Sequence, residues 1–465
     1  MPIRRVVVIG GGVTGLATAL LAARRDAQVT IVERDVVPAG PIEMAPDLPR
    51  PGVPHYLQPH AFIPRARLEL RRELPDVYDE LLGAGASEVD LRAKLPGPVR
   101  SEDADLVYLA VRRPLIEWAL RSAVAAEPGI TVAAGVRVHA LTAEQGTVTG
   151  VRTDDGELPA DLVVDAHGRR PPPAGWLPST GATEPEPTVN SCGVVYYCRY
   201  YRQRPGFDLP DGPWFLSPRG DLGYLAFATF PGDNGTFAGL LAAPAGVLDW
   251  RVLNHPPAFE AAVARIPALA SWVNRDGVDP ITDVMPMAGL RNSFTDRASP
   301  MPGLLLAGDA YCHTDPTLAH GLAFGLIHAA AIAGALSDHA DVVDAADAYA
   351  VATLPELQER FSWASALDEQ RLRNWMGESV DAAHHDGDYA LFTMTAAGAV
   401  ARVDPDVFRV FNRRIGLLDR TGVLDDDLAL QRHIEARFAE LRATPSVPLG
   451  PPPEELLAAA RAAAA

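Results

Sequence analysis

The stretch "RRVVVIGGGVTGLATALLAARRDAQVTIVER" (residues 4–34) constrains the fold more than any other. Val6, Val7, Val8 and Ile9 follow one another without polar alternation, the pattern of a strand buried on both faces of a parallel sheet. Gly10, Gly12 and Gly15 then stand in G-x-G-x-x-G spacing, a helical run follows, and a second buried strand ends at Glu33. The sum is a βαβ unit, and each glycine has a mechanical reason: Gly10 for the tight turn, Gly12 for close approach of a pyrophosphate, Gly15 for helix–strand packing. The helix N-terminus offers unpaired N–H groups to phosphate oxygens, and Glu33 can accept hydrogen bonds from a ribose diol. Thr14 in the loop and Arg34 beside Glu33 complete the candidate set at this end. The motif alone predicts a dinucleotide. Its place at the N-terminal end of a 465-residue chain favours FAD over NAD.

Residues 6–23 have the hydropathy of a signal or membrane segment, but three glycines in the first half and the following "RRDAQ" argue against both. No other membrane candidate is expected. A net charge of −18 disfavours nucleic acid and anionic membranes as partners. Cys192, Cys198 and Cys312 form no disulfide or C-x-x-C pattern, so a reducing cytoplasm is expected.

Further along, "RRPLIEWALRSAVAAEPG" opens with Arg112 and Arg113 and reads as an amphipathic helix stopped at Pro128-Gly129. Short strands follow, the last being "DLVVDAHGRR"; much later "GLLLAGDA" is another buried strand, ending in Gly308-Asp309. With "GGGVTG" and "GDAYCHTDPTLAHG", these segments resemble, in order and spacing over about 310 residues, the flavoprotein monooxygenases of the p-hydroxybenzoate hydroxylase-like fold, closest to natural-product flavin epoxidases and hydroxylases. "PGVPHYLQPH" is a weaker match, to a stretch carried near the flavin.

The resemblance implies an α/β fold: a Rossmann-like FAD-binding domain with an inserted antiparallel β-sheet substrate domain and a C-terminal helical region. It implies that the glycine loop holds the FAD pyrophosphate, Glu33 the adenosine ribose, Arg113 the pyrophosphate or ribitol, and that the strand near Val138 meets adenine through its backbone. Gly308 and Asp309 would serve the ribityl chain, where a carboxylate suits hydroxyls better than phosphates. A helix starting near residue 318, after Pro316 and including Gly321, would turn its N-terminus to the flavin's pyrimidine edge.

The stretch "GDAYCHTDPTLAHG" also has metal-ligand and nucleophile residue types. Adjacent Cys312 and His313 diverge in most backbones, and no second cluster completes four ligands, so no metal is expected. Cys312 as a nucleophile would need space that a flavin fills. Two departures from the family concern the place where ring and substrate should meet. Leu318 stands where a glycine is common, and Gln58 replaces one of a histidine pair whose other member is His60. His167 stands where a small residue is frequent; His320 and His328 are read as helix-packing or hydrogen-bonded histidines.

Residues 190–243 are strand-rich, with turns at "PRGD" and "PGDNG". They predict an antiparallel sheet over the flavin, with Tyr197, Trp214, Tyr224 and Phe227 as candidate substrate contacts. At the chain's end, "PSVPLGPPPEE" is proline-rich and "ELLAAARAAAA" reads as a short surface helix. The expected division is 1–180 (FAD-binding, first part), 181–282 (substrate sheet), 283–342 (return to the FAD domain) and 343–465 (helical layer). No second dinucleotide βαβ unit is visible. NADPH or NADH would therefore dock transiently, or a partner reductase would supply reduced flavin.

The expected activity is a FAD-dependent monooxygenase, hydroxylase or epoxidase, in secondary metabolism. The resemblance implies that O₂ and reduced flavin form a C4a-hydroperoxide, which oxygenates a small, largely apolar substrate; no catalytic side chain is assigned. A flavin-dependent halogenase is the first alternative; it needs a lysine, and Lys94 is the single lysine of the chain. A flavin-dependent reductase or desaturase is the second, and a FAD-free binding protein the third.

Overall fold

The computed structural model describes residues 3–465 except 170–175, 178–184, 211–217, 274–275, 379–389, 421 and 444–447. The N-terminal unit is as the sequence predicts: β1 (Arg5–Ile9), α1 (Val13–Ala23) and β2 (Gln28–Glu33). Helix α2 (Arg113–Ala126) leads to β3 (Ile130–Ala134), and β4 (Leu162–Asp165) follows. With the strand Leu304–Leu306 these form a five-stranded parallel sheet in the order Leu304–Leu306, β4, β1, β2, β3. Val8 pairs with Ile31 on one side and Val164 on the other. β1 is thus the strand from which the chain turns outward in both directions, and the carboxyl ends of such strands are where α/β folds bind ligands.

The unbroken apolar run of β1 has a physical reason. Val6 and Val8 pack into the main core with α1, while Val7 and Ile9 enter a second core under the antiparallel sheet Val138–Glu144, Thr147–Thr153, Gly156–Pro159. Both faces are covered, so neither carries polar residues.

A six-stranded, antiparallel sheet stands beside this unit. It contains β5 (Val194–Gln203), β6 (Arg219–Asp221), β7 (Ala226–Pro231), β8 (Thr236–Pro244) and β9 (Val278–Pro280), in the order β6-β7-β8-β5-β9, with β10 (Met285–Met287) also paired to β5. Alternation along β5 sorts its side chains. Tyr196, Cys198 and Tyr200 join the main core; Tyr197 and Tyr201 join a separate core with Phe227, Phe237 and Trp250. That outer core is closed by α3 (Pro256–Val263) and, from the far end of the chain, by a terminal helix whose Leu456 and Ala460 are fully buried.

The chain then returns through α4 (His320–Asp338), which packs on α1, and α5 (Val342–Trp375), a 34-residue helix capped by Asp341. The terminal helix is α6 (Pro453–Ala464). Helix α4 has the length and hydropathy of a membrane span, but most of it is buried within the fold. The expected helix start near residue 318 is corrected: Pro316–Leu318 form one 3₁₀ turn and α4 begins at His320, because Ala319 takes a left-handed φ of 58° between them.

Candidate functional site

A cavity of about 600 Å³ opens at the carboxyl ends of the parallel strands. At its centre lies the glycine loop. Gly10 has φ 101°, and a Cβ there would meet the Ala166 carbonyl oxygen at 2.6 Å. A Cβ on Gly15 would lie 1.9 Å from the Gly10 oxygen, so Gly15 permits the helix to seat on the loop. Gly12 differs: a Cβ there would meet only Arg113 Nη2, at 3.7 Å. Its bareness relieves no clash within the protein and leaves open a path for something else. Gly12 is the N-cap of α1, no side chain caps that end, and the first turn holds no acidic residue. The positive end of the helix thus faces the cavity unopposed.

Beneath the loop lies a buried ionic cluster. Glu117 accepts from Arg113 Nε at 2.8 Å and Arg50 Nε at 3.1 Å, with Arg121 at 3.7 Å. Burial works to raise the Glu117 carboxyl, but Arg113, Arg50 and Arg121 override it and hold it below its ordinary value. Arg50 also reaches Asp35 at 2.9 Å and Glu33 at 3.3 Å. Arg50 and Arg121 both donate to the Gly11 carbonyl, at 3.3 and 2.6 Å. Glu33 accepts the Gly11 N–H and the Asp35 N–H, each at 2.8 Å. The Gly11 peptide is therefore pinned at both ends, and Arg113 is held over Gly12.

The far end of the cavity is rich in imidazole. His55 Nε2 accepts from Arg113 Nη1 at 2.7 Å, and His60 Nδ1 donates to the Gln58 carbonyl at 2.7 Å. Burial, then the charge of Arg113, pushes His55 well below its ordinary value and His60 to about 3. Burial also lowers His313, whose Nδ1 donates to the Asp309 carbonyl at 3.0 Å. All three rings are neutral near pH 7. Asp309 accepts from Arg169 Nε at 3.0 Å; burial would raise its carboxyl, but Arg169 keeps it low and charged.

Of the residues singled out from sequence, Gly10, Gly12, Thr14, Glu33, Arg34, Arg113, Val138, Asp309, Pro316 and Gly321 line this cavity. Gly15 and Gly308 stand behind the lining. Thr14 Oγ1 lies where Cβ atoms on Gly308 and Gly325 would be, at 2.6 and 2.5 Å, so the two glycines let Thr14 nest against α4.

The candidate substrate contacts are corrected. Tyr197 and Phe227 lie in the outer core, on the sheet face turned away from the cavity. Tyr224 stacks on Trp250 at 5.8 Å and donates to the Pro451 carbonyl at 2.5 Å, also on that side. Tyr197 and Phe227 lie one position out of phase along their strands, and a period of two turns that into the opposite face. Trp214 lies outside the described residues.

Sequence reasoning missed His55, Arg50, Glu117, Trp176 and the functional placing of Arg169 and Gln58. His55, Gln58, Glu117 and Arg169 lie inside the family-like stretches without any local sign of their role, and Arg50 and Trp176 lie outside them; the ionic cluster joins positions 33 to 121 and has no local pattern. Lys94 ends a short turn, Leu91–Lys94, and is not among the cavity-lining residues. Cys192, Asp315 and Asp368 lie close enough to share a metal ion, but Arg371 Nη2 already contacts both carboxylates at 2.6 Å.

Residues 5–106 match the family model described as FAD dependent oxidoreductase. With the sheet order and the cavity, this gives a chain whose N-terminal segment is similar to the FAD dependent oxidoreductases and whose fold is that of the flavin monooxygenases. Protein Rv3254 of Mycobacterium tuberculosis is 26% identical over 236 residues, and the match spans 46% of that protein and 45% of this chain. PqsL of Pseudomonas aeruginosa, a probable FAD-dependent monooxygenase, superposes with a TM-score of 0.58 at 16% identity, over 80% of this chain and 99% of that one. The flavin-dependent brominase Bmp2 gives a TM-score of 0.60 at 16% identity, over 94% and 98%. At these identities the likeness to solved structures is one of fold.

Proposed function

We propose that the protein is a FAD-dependent monooxygenase, a hydroxylase or epoxidase acting on a small, largely apolar compound. The observation that carries the reading is one cavity that gathers an uncapped helix end, Glu33, Arg113 and Asp309 along one path from Val138 to Pro316. The fit is physical. Gly12 leaves the space a pyrophosphate needs, the α1 N-terminus and Arg113 attract its charge, and Glu33 keeps acceptor capacity for ribose hydroxyls. Val136 and Val138 offer an adenine its apolar wall. Asp309, ionised and steadied by Arg169, accepts from the ribityl chain.

Bound FAD would supply the redox chemistry, taking electrons from NADPH, NADH or a reductase and transferring one atom of O₂. The chain's residues then have four tasks. His55, His60 and His313, all neutral, add no positive charge to the ring end and hold their tautomers through Arg113 and backbone carbonyls. The α4 N-terminus, with Ala319 as N-cap and no acidic residue in its first turn, faces negative charge that develops there. Met287, on the inner face of the antiparallel sheet, begins an apolar wall that excludes water. The substrate would lie against that inner face, the one carrying Tyr196, Cys198 and Tyr200.

Three buried free thiols suit a reducing compartment, and the expected domain limits, with 181–282 as substrate domain, belong to the same proposal. The test is direct. Purified protein should be yellow, with FAD released on denaturation, and should incorporate isotope from labelled O₂ into an accepted substrate. Bound FAD with no oxygen transfer would favour a reductase or desaturase; halide-dependent product that is lost in Lys94→Ala would favour a halogenase.

A further inference from the structure

The strongest polar cluster outside the cofactor cavity sits directly behind its wall. Asp315 lines the cavity through the loop 314–319, yet its carboxylate is turned away and fully buried. Its Oδ1 accepts the Tyr196 hydroxyl and, at 3.0 Å, the Thr317 N–H. Its Oδ2 accepts from Arg371 Nη2 at 2.6 Å. Arg371 comes from α5, and the same nitrogen donates to Asp368 at 2.6 Å, while Nη1 reaches Thr317 Oγ1 at 3.2 Å. Asn292, in the strand Arg291–Phe294, closes the ring: Nδ2 donates to Asp368 at 2.8 Å and Oδ1 accepts the Asp315 N–H at 2.7 Å. One guanidinium thus serves two buried carboxyls that also touch each other.

We propose that Arg371 is a positioning residue for the flavin: through Asp315 it fixes the loop 314–319 against the ring end of the cavity, and it balances the Asp315 charge so that reduced flavin is not repelled. This rests on the FAD reading above. The charge count follows from the geometry. Two carboxylates cannot both stay ionised beside one cation in a dry interior, so one proton is retained. Burial and the Asp315 charge push Asp368 up to about 9, so Asp368 holds the proton and the cluster as a whole is neutral. A buried ion pair of this kind adds little net stability, yet removing one partner exposes the ring end to an uncompensated charge. The α5 helix, remote in sequence, thereby sets the field at the flavin.

The readout is the midpoint potential of bound FAD in the full-length holoprotein. R371M leaves Asp315 unbalanced and should disfavour reduced flavin at least tenfold, a fall of about 30 mV for a two-electron couple. D315N/D368N leaves the guanidinium alone and should shift the potential upward by a similar factor. R371K keeps the charge and should stay near wild type. A merely structural role would move the opposite-charge variants in one direction, and that result, or no movement in either, overturns the proposal. D368N removes no charge if Asp368 holds the proton. Its potential should stay at the wild-type value, and a shift of tenfold or more overturns the proton assignment; should R371M not retain FAD, the upward shift in D315N/D368N decides the question, and no movement there overturns the proposal. Wild-type protein that takes up no FAD sinks the cofactor reading and this inference together. Yellow wild type with unresponsive variants sinks this inference alone.

Discussion

Three glycines in one loop do three separate things, and substitution separates them. Gly12→Ala meets only Arg113, at 3.7 Å, from a φ of −83° that alanine adopts freely. The apoprotein should melt within a degree or two of wild type. FAD affinity should fall at least about tenfold, or roughly 1.4 kcal/mol, because the methyl group enters the pyrophosphate path. Gly15→Ala collides with the Gly10 oxygen at 1.9 Å, so the fold itself should lose about 3 kcal/mol. Equilibrium unfolding with and without FAD distinguishes the pair; a Gly12→Ala protein that binds FAD like wild type would remove the pyrophosphate from this loop. The loop was legible from sequence because its spacing is local. The support under it was not: Glu117 sits inside a helical run where a glutamate reads as solvated, and it becomes the hub of three arginines only after tertiary folding. Glu117→Gln should destabilise by about 3 kcal/mol, since it strands buried cations. The sign of its pH dependence follows. Its folded value lies below the ordinary 4.5, so its contribution is complete above pH 4.5 and is lost as pH falls through the folded value. The variant should show a shallower loss of stability in acid below pH 4.5, measured by urea unfolding.

At the scale of the element, α4 carries two histidines read from sequence as packing or hydrogen-bonded, and for one of them the bond has a structural consequence. His328 Nδ1 accepts the Gly308 N–H at 2.8 Å, so the ring bolts the helix to the turn that presents Asp309. That bond needs a bare Nδ1. Burial holds His328 down to about 3, against an ordinary 6.5. The unfolded chain therefore takes up the proton first as pH falls, and stability is constant above pH 6.5 and declines below it, by about 1.4 kcal/mol per pH unit for this ring. His328→Gln keeps an acceptor and should flatten the decline between pH 6 and 4 by one proton, read from the pH dependence of the unfolding free energy. An unaltered slope would mean that His328 is protonated in the native state. The turn before α4 shows how Leu318 is accommodated. The left-handed φ falls on Ala319, and Leu318 buries its side chain with Trp363 and Leu367. Ala319→Gly should stabilise by up to about 1 kcal/mol, because an L-residue in that conformation is strained. Thermal melting checks it. No spacing rule could have told which of the two residues takes the turn; packing against α5 decides it.

For the molecule as a whole, the antiparallel sheet separates two interiors. Its inner face belongs to the core that surrounds the cofactor cavity, and its outer face to a core closed by α3 and α6. The sequence predicts the sheet but not which face each aromatic takes. Tyr196 and Tyr197 are neighbours with the same chemistry, and only the parity of β5 sends one to Asp315 and the other to the outer core. The last helix reads from sequence as a surface element, yet Leu456 and Ala460 are fully buried against the outer core. The cavity is lined by residues between Ile9 and Leu322, and none comes from α6. Ending the chain at Gly450 should therefore cost about 3–5 kcal/mol, the range for losing a buried leucine and its packing. Flavin content and the visible spectrum of the bound cofactor should remain as in the full-length protein. Differential scanning calorimetry with a flavin assay on the same sample measures both. A truncated protein that loses its FAD in proportion to its stability would show that the outer core and the cofactor cavity fold as one cooperative unit, with the sheet transmitting strain from one face to the other.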